Sequence, residues 1–162
     1  MLSERAATGS RRSRSTLVLE APARAFHEVA SRPYPRFVRK QHHFRPSPLG
    51  LRAWDVDRLV VLSASLSTEQ VPLAAISEVD TDYWFSRGTV ATVRDVVGHM
   101  QLVNESDLAY PIILDPDGRV MDGMHRVAKA LLAGNDFVSA RRLLTLPEPD
   151  FVGVAPDDLP YE

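Results

Sequence analysis

The chain has 162 residues, of which 44% are apolar and 25% are charged, and its formal net charge is −2. These values are typical of a soluble globular protein and exclude a wholly disordered chain, a collagen-like chain and a coiled coil. No apolar run approaches the roughly 18–20 residues that a membrane-spanning helix needs. The absence of cysteine excludes disulfides, thiolate metal sites and a cysteine nucleophile. Because the sequence also lacks an export signal, we expect a cytoplasmic protein without a membrane partner.

The charge is distributed unevenly along the chain. Residues 1–50 carry ten basic and three acidic side chains, a net charge of +7, whereas residues 51–162 have a net charge of −9. The first segment is rich in Ser, Ala and Pro and lacks sustained apolar periodicity, so we expect a disordered basic extension over residues 1–50. It is either a solvated tail or an arm that binds nucleic acid. Residues 51–162 are the expected folded domain, and their negative charge disfavours general DNA binding by that domain.

The first part of the domain has the apolar spacing of a helix followed by a short strand. Asp55 is placed to cap a helix that runs through Val56–Leu62. Alternating apolar residues predict a strand over Gln70–Leu73, and Pro72 places it at a sheet edge or a strand start because proline cannot donate to a central ladder. A turn of helix is expected at Ala74–Ile76.

A loop and a second helix follow. The loop Asp80–Phe85 contains three consecutive aromatic residues, and the helix begins after Thr89 or Thr92 and ends near Asn104. The apolar stripe of this helix consists of Val93, Val96, Val97, Met100 and Val103.

A hairpin and a third helix are predicted in the next stretch. The continuous apolar run Pro111–Leu114 is typical of a strand that is buried on both faces. The turn sequence Asp115–Gly118 and the strand Arg119–Met121 complete a hairpin. The helix Met124–Ala133 follows, and Gly134 stands where a helix commonly ends in a left-handed residue.

The end of the chain provides one more strand and an irregular tail. The strand is expected at Phe137–Leu146, and the tail, rich in Pro and Asp, begins at Pro147. Together these elements predict an α+β domain in which a small mixed sheet packs against helices.

The junction between the second hairpin strand and the third helix is where binding chemistry is most plausible. The first amides of a helix lack internal partners, and the helix dipole places positive potential there, so an anion is stabilised at this point. Gly123 lets the backbone approach such an anion closely. His125 and Arg126 lie in the first turn, where cations are unfavourable unless an anion is bound. A guanidinium suits the oxygens of a phosphate group.

Several neighbouring residues allow two interpretations. Asp122 is either an N-cap or a ligand for magnesium or a hydroxyl group. Met124 covers one side of a pocket or simply packs, and Tyr83 and Trp84 line a pocket or belong to the core. His99, on the rim of the second helix, is interpreted as structural, and the pair His42-His43 in the basic segment is not accompanied by a carboxylate cluster.

The segment from Pro111 to Leu131, with the Gly-x-His-Arg helix start at Gly123–Arg126, resembles the core of the ParB/sulfiredoxin-like superfamily. The order of the upstream strand, the second helix and the Pro-Ile-Ile strand is also similar to this family, and the resemblance covers about Gln70–Leu144. It implies a ParB/sulfiredoxin-like fold with a pocket for nucleotide phosphates. It also implies that Asp122, Gly123, Met124, His125 and Arg126 contact a nucleoside triphosphate or diphosphate.

Departures from the family pattern narrow the implied activity. Met124 replaces the cysteine of sulfiredoxins, which excludes their chemistry. Only about 18 residues follow the last strand, so we do not expect the sequence-specific DNA clamp of partition proteins. The pentapeptide Asp122–Arg126 resembles the Asp-Gly-His-His-Arg motif of free serine kinases and differs from it only at Met124. These kinases place a catalytic glutamate just after the first strand, and Glu78 stands in the corresponding region.

Three functional hypotheses follow. The first is a Mg²⁺-dependent phosphotransferase or nucleotidase, in which Asp122 holds Mg²⁺ and Glu78 takes the proton of a small hydroxyl acceptor. The alternative interpretation of Glu78 is a solvated carboxylate in an acidic loop. The second hypothesis is a nucleotide-sensing binding module without chemistry. The third is a partition-related protein that associates with DNA through its basic extension.

Overall fold

The structure is a computed structural model that describes residues 40–85 and 90–161, which form an α+β domain of two small sheets and three helices. The strands are β1 (His42–Ser47), β2 (Gly50–Asp55), β3 (Thr68–Pro72), β4 (Ile112–Leu114), β5 (Val120–Asp122), β6 (Phe137–Arg142) and β7 (Phe151–Val152). The helices are α1 (Val56–Ser63), α2 (Val93–Glu105) and α3 (Met124–Leu132), and short 3₁₀ turns lie at Leu73–Ala75, Ser77–Asp80 and Pro156–Asp158. Among the described residues, no helix combines the length and hydrophobicity that crossing a membrane requires.

The larger sheet has four strands in the order β3, β6, β4, β5. Strands β4 and β6 are parallel, and the other two neighbouring pairs are antiparallel. The three residues of β4 are all buried, as the continuous apolar run predicts. Strand β3 lies at the edge, which confirms the position indicated by Pro72. The smaller sheet has the order β1, β2, β7, and all its strands are antiparallel.

Alternation along β4 gives the larger sheet two apolar faces. Ile112 and Leu114 point into a cluster formed with α3 and β6, which includes Val127 and Ala140. Ile113 points to the other face and packs with residues of α1, β2, β5 and the chain after β6: Trp54, Leu59, Met121 and Leu143. The larger sheet therefore lies between α3 on one side and α1 with β2 on the other.

The local signals at helix ends work as the sequence predicts. The carboxylate of Asp55 accepts a hydrogen bond from the Asp57 amide at 2.9 Å and caps α1. Thr92 caps α2 in a reciprocal arrangement with Asp95, which decides between the two expected starts of this helix. Gly134 follows the C-cap of α3 with φ of 70°.

The predicted boundary at residue 50 is wrong, because β1 and the start of β2 form a hairpin within the expected basic extension. Arg45 on β1 is only 8% exposed. Its guanidinium donates to the Asp115 carboxylate at 2.6 Å, and its Nε donates to His43 Nε2 at 3.0 Å. The composition of the segment predicts a solvated charge at Arg45, whereas a distant carboxylate allows its burial. Residues 1–39 of the predicted extension lie outside the described residues.

Two further elements differ from expectation. Of the predicted apolar stripe of α2, only Val103 is buried. The tail after Pro147 is not wholly irregular, because β7 pairs with β2 and Trp54 Nε1 donates to the Pro147 carbonyl at 2.7 Å. The carboxylate of Asp150 also pairs with Arg58 at 2.5 Å. The tail thus completes the smaller sheet.

We predict that His43 makes the protein less stable at acidic pH. Burial, reinforced by the charge of Arg45, lowers the pKa of His43 from 6.5 to about 3. The folded protein therefore keeps this imidazole neutral, whereas the unfolded chain protonates it below about pH 6.5. The free energy of unfolding is thus highest above pH 6.5 and falls as the pH is lowered toward 3. Between about pH 7 and about pH 4.5, the free energy of unfolding should fall by about 2–3 kcal/mol more in the wild type than in His43→Gln. Urea unfolding followed by circular dichroism measures the free energy of unfolding of both proteins at the two pH values. Equal changes with pH in the wild type and in His43→Gln would contradict the prediction.

Candidate functional site

The junction between β5 and α3 is built around Gly123, which has a φ of 99°. A Cβ atom at this position would lie 2.7 Å from Ile112 Cγ2 and 2.7 Å from Arg126 Nη2. Both the left-handed backbone and the lack of space therefore require glycine. Gly123 is also the N-cap residue of α3, and no side chain accepts a hydrogen bond from the first amides of this helix. The helix start thus has the uncapped amides that the sequence predicts.

Asp122 does not cap α3, so the N-cap interpretation of this residue is wrong. Its carboxylate instead accepts a hydrogen bond from Arg126 Nη2 at 2.5 Å, and the two side chains are equally shielded, with 19% of each exposed. Because Arg126 turns back over Gly123 to reach Asp122, its guanidinium lies directly beside the helix start. The predicted anion-binding arginine is therefore already paired with a carboxylate.

The pairing leaves part of the guanidinium without a partner. Arg126 Nε is buried and makes no hydrogen bond within residues 40–85 and 90–161. A buried donor without an acceptor costs about 1–3 kcal/mol. The guanidinium at the start of α3 therefore keeps a buried N–H donor that has no acceptor among the described residues.

Glu78 is tied to the hairpin rather than free in solvent. Its Oε1 accepts a hydrogen bond from the Val120 amide at 3.0 Å, and its Oε2 lies 3.3 Å from the Ser77 hydroxyl, which donates to it. The bond to Val120 connects the 3₁₀ turn Ser77–Asp80 with β5. One oxygen of this half-buried carboxylate is therefore bound to the hairpin, and the other lies beside the Ser77 hydroxyl.

Tyr83 shows that Glu78 and Asp122 share one neighbourhood. Burial raises the pKa of the Tyr83 phenol to about 12, and the negative charges of Glu78 and Asp122 act in the same direction. Tyr83 and Trp84 both pack against the core cluster that contains Met124. The packing interpretations of these three side chains are therefore the ones that the contacts support.

A histidine pair that the sequence interpretation missed lies beside the helix start. His99 Nδ1 and His125 Nε2 are 3.0 Å apart, so one ring donates a hydrogen bond to the other. The Trp84 indole stacks on both imidazoles, with ring centroids 4.7 Å from His99 and 5.1 Å from His125. The two histidines are 26 residues apart in the chain and no local motif connects them, so only the packing of α2 against α3 reveals the pair.

The histidine pair favours the neutral state. Burial lowers the pKa of His99, although the nearby Asp95 opposes this shift. Burial also lowers the pKa of His125, and the charge of His99 is the next largest cause. A hydrogen bond between two imidazoles requires at least one neutral ring, which agrees with the lowered pKa of both histidines.

The expected Mg²⁺ ligand does not fit a resident metal site. Within the described parts of the chain, no three His, Asp or Glu side chains converge in a way that could hold a metal ion. Asp122 faces a guanidinium at 2.5 Å, and a cation on the same carboxylate would meet that positive charge. No chemical step is therefore assigned to a metal at Asp122.

No family model, no curated protein and no solved structure matches the chain.

We predict that replacement of His99 by Asn raises the pKa of His125. The substitution removes a second imidazole whose protonation opposes that of His125, and it exposes the His125 ring to more water, so both changes favour the imidazolium form of His125. NMR titration of the histidine Cε1 protons, with His125 identified by its absence from a His125→Gln spectrum, measures the shift. An unchanged or lower pKa of His125 in the variant would contradict the pairing.

Proposed function

We propose that the start of α3 binds the phosphate groups of a nucleotide, and that the chain is a nucleotide-binding module of the ParB/sulfiredoxin-like type. One observation carries the proposal: α3 begins at an uncapped glycine, and the guanidinium of Arg126 lies over its first turn. First-turn amides that no side chain caps, the positive end of the helix dipole and an arginine together favour an anion with several oxygens.

In this proposal the Asp122 carboxylate acts as an internal counter-ion. It neutralises Arg126 while no phosphate is bound, and binding exchanges the Asp122–Arg126 contact for a contact between Arg126 and the ligand. The unpaired Arg126 Nε supports this exchange, because the pair with Asp122 uses only part of the donor set of the guanidinium.

The order of the elements supports the proposed fold type. Strand β3, helix α2, the β4–β5 hairpin, helix α3 and strand β6 follow one another in the order that the resemblance implies. The Gly-x-His-Arg sequence begins the helix, where the resemblance also requires it. A fold of this type hosts several activities, so the activity depends on the side chains of the site.

Those side chains favour binding without phosphoryl transfer. A transferase of the expected type needs Glu78 as a base and Asp122 as a Mg²⁺ ligand. Glu78 instead accepts a hydrogen bond from the Val120 amide on one oxygen and from the Ser77 hydroxyl on the other. The nucleotide-sensing alternative therefore agrees better with the geometry than a phosphotransferase that acts on a hydroxyl acceptor. DNA association through the basic extension stays a prediction, because residues 1–39 lie outside the described part.

We predict opposite effects of two substitutions at the ion pair. Asp122→Asn should tighten nucleotide binding about 2–5-fold, because it releases Arg126 from a competing charge. Arg126→Ala should weaken binding about tenfold or more, because it removes charge-assisted hydrogen bonds to phosphate. Isothermal titration with ATP, ADP and CTP measures both effects.

A second ion pair provides matched controls. Arg58 on α1 and Asp150 in the tail also meet at 2.5 Å, and neither lies at the start of α3. Asp150→Asn and Arg58→Ala should leave nucleotide affinity unchanged. The proposal is wrong if neither the wild type nor Asp122→Asn binds a nucleotide at millimolar concentration, or if Asp122→Asn weakens binding as Arg126→Ala does.

A further inference from the structure

Helix α2 exposes an apolar surface that nothing in the described domain covers. Only one of its 13 residues, Val103, is buried. Four apolar side chains, here called the α2 stripe, are between 43% and 82% exposed: Val93, Val96, Val97 and Met100. Their spacing of three and four residues places them on one face of the helix. Contiguous exposed apolar surface of this kind marks an interaction site.

The helix does not need a partner in order to form. Its first turn is stabilised by the reciprocal bonds between Thr92 and Asp95, with the Asp95 amide 3.3 Å from the Thr92 hydroxyl. His99 and Val103 attach one edge of the helix to the domain: His99 bonds to His125 on α3, and Val103, which continues the row of Val96 and Met100, is buried. The α2 stripe therefore begins beside this attachment and extends, exposed, toward the N-terminal end of the helix.

The charges beside the stripe have opposite signs at the two ends of the helix. Arg94 lies in the first turn and Glu105 in the last, and both are exposed on the same flank. Gln101, also on this flank, donates a hydrogen bond to Glu105 at 3.0 Å. A surface with this pattern is complementary to a reversed copy of itself.

We propose that a second copy of this chain packs on the α2 stripe, with the two α2 helices antiparallel about a two-fold axis. Val97 of one copy then packs against Met100 of the other. Arg94 of one copy lies about two residues, or about 3 Å along the helix axis, from the level of Glu105 in the other. The two-fold axis repeats this ion pair, so the interface has two apolar contacts flanked by two ion pairs.

The charge pattern favours this arrangement over the alternatives. In a parallel pair, the flanks that carry Arg94 and Glu105 would lie on opposite edges of the interface, so no ion pair between these residues of the two copies could form. Strictly apolar partners would leave both charges without a counterpart. Self-complementarity of the flank therefore points to an identical chain as the partner.

The first test measures the mass of the full chain by sedimentation equilibrium over micromolar concentrations. The wild type should dimerise, and Val97→Asp should remain monomeric because the interface would bury an unpaired charge. Leu144→Asp is the matched control, since Leu144 is 82% exposed and lies outside α2, and it should dimerise like the wild type. Circular dichroism confirms that each variant is folded.

The second test addresses the antiparallel arrangement. Arg94→Glu and Glu105→Arg should each weaken dimerisation, and the double variant should restore it because the ion pairs form again with exchanged signs. Both substitutions agree with the helix dipole, so neither opposes formation of α2. A wild type that stays monomeric, as expected if another segment of the same chain covers the stripe, overturns the proposal. So does a Val97→Asp dimer, or a double variant that dimerises no better than the single ones.

Discussion

The carboxylate of Asp115 lies between the two sheets, and its contacts hold them together. It is 1% exposed and accepts hydrogen bonds from the Arg45 guanidinium at 2.6 Å and from the Arg119 amide at 2.8 Å. Burial alone would raise the pKa of Asp115, but hydrogen bonds and charge from Arg45 and Arg119 lower it overall. Because Arg45 belongs to β1 and Arg119 immediately precedes β5, this carboxylate fixes the hairpin from which the start of α3 extends. Loss of one partner would leave a buried charge uncompensated, which typically costs about 3–5 kcal/mol.

The sequence predicts most elements whose signals are local. Asp55 caps a helix through its own carboxylate, and the run Ile112–Leu114 is buried on both faces, so neither feature needs distant residues to be recognised. Strand β1 shows the limit of such signals. Its arginine is buried only because a carboxylate 70 residues away neutralises it, and composition carries no information about that partner. The same holds for α2, whose stripe has the period of a core-facing helix although the domain buries only Val103.

Some features of the candidate site are likewise predictable from the sequence, and others are not. Gly123 and the basic first turn of α3 are evident from the sequence, because a left-handed glycine and misplaced cations are local features. The engagement of Asp122 by Arg126 and of Glu78 by the Val120 amide depends on side-chain directions that spacing does not specify. These two contacts change the functional interpretation, since they place the expected base, Glu78, and the expected Mg²⁺ ligand, Asp122, in hydrogen bonds within the protein and leave the helix start as the feature that favours a ligand.

The pairing of β7 with β2 brings the tail back to the beginning of the described domain. Ala53 lies opposite Phe151, and the Asp150 amide donates to the Ala53 carbonyl at 2.8 Å. The smaller sheet therefore needs strands that are almost 100 residues apart. During synthesis, β1 and β2 leave the ribosome as a two-stranded hairpin, which is marginally stable in isolation. Their third strand is synthesised only after all strands of the larger sheet, so the smaller sheet acquires its final form after the larger one has emerged.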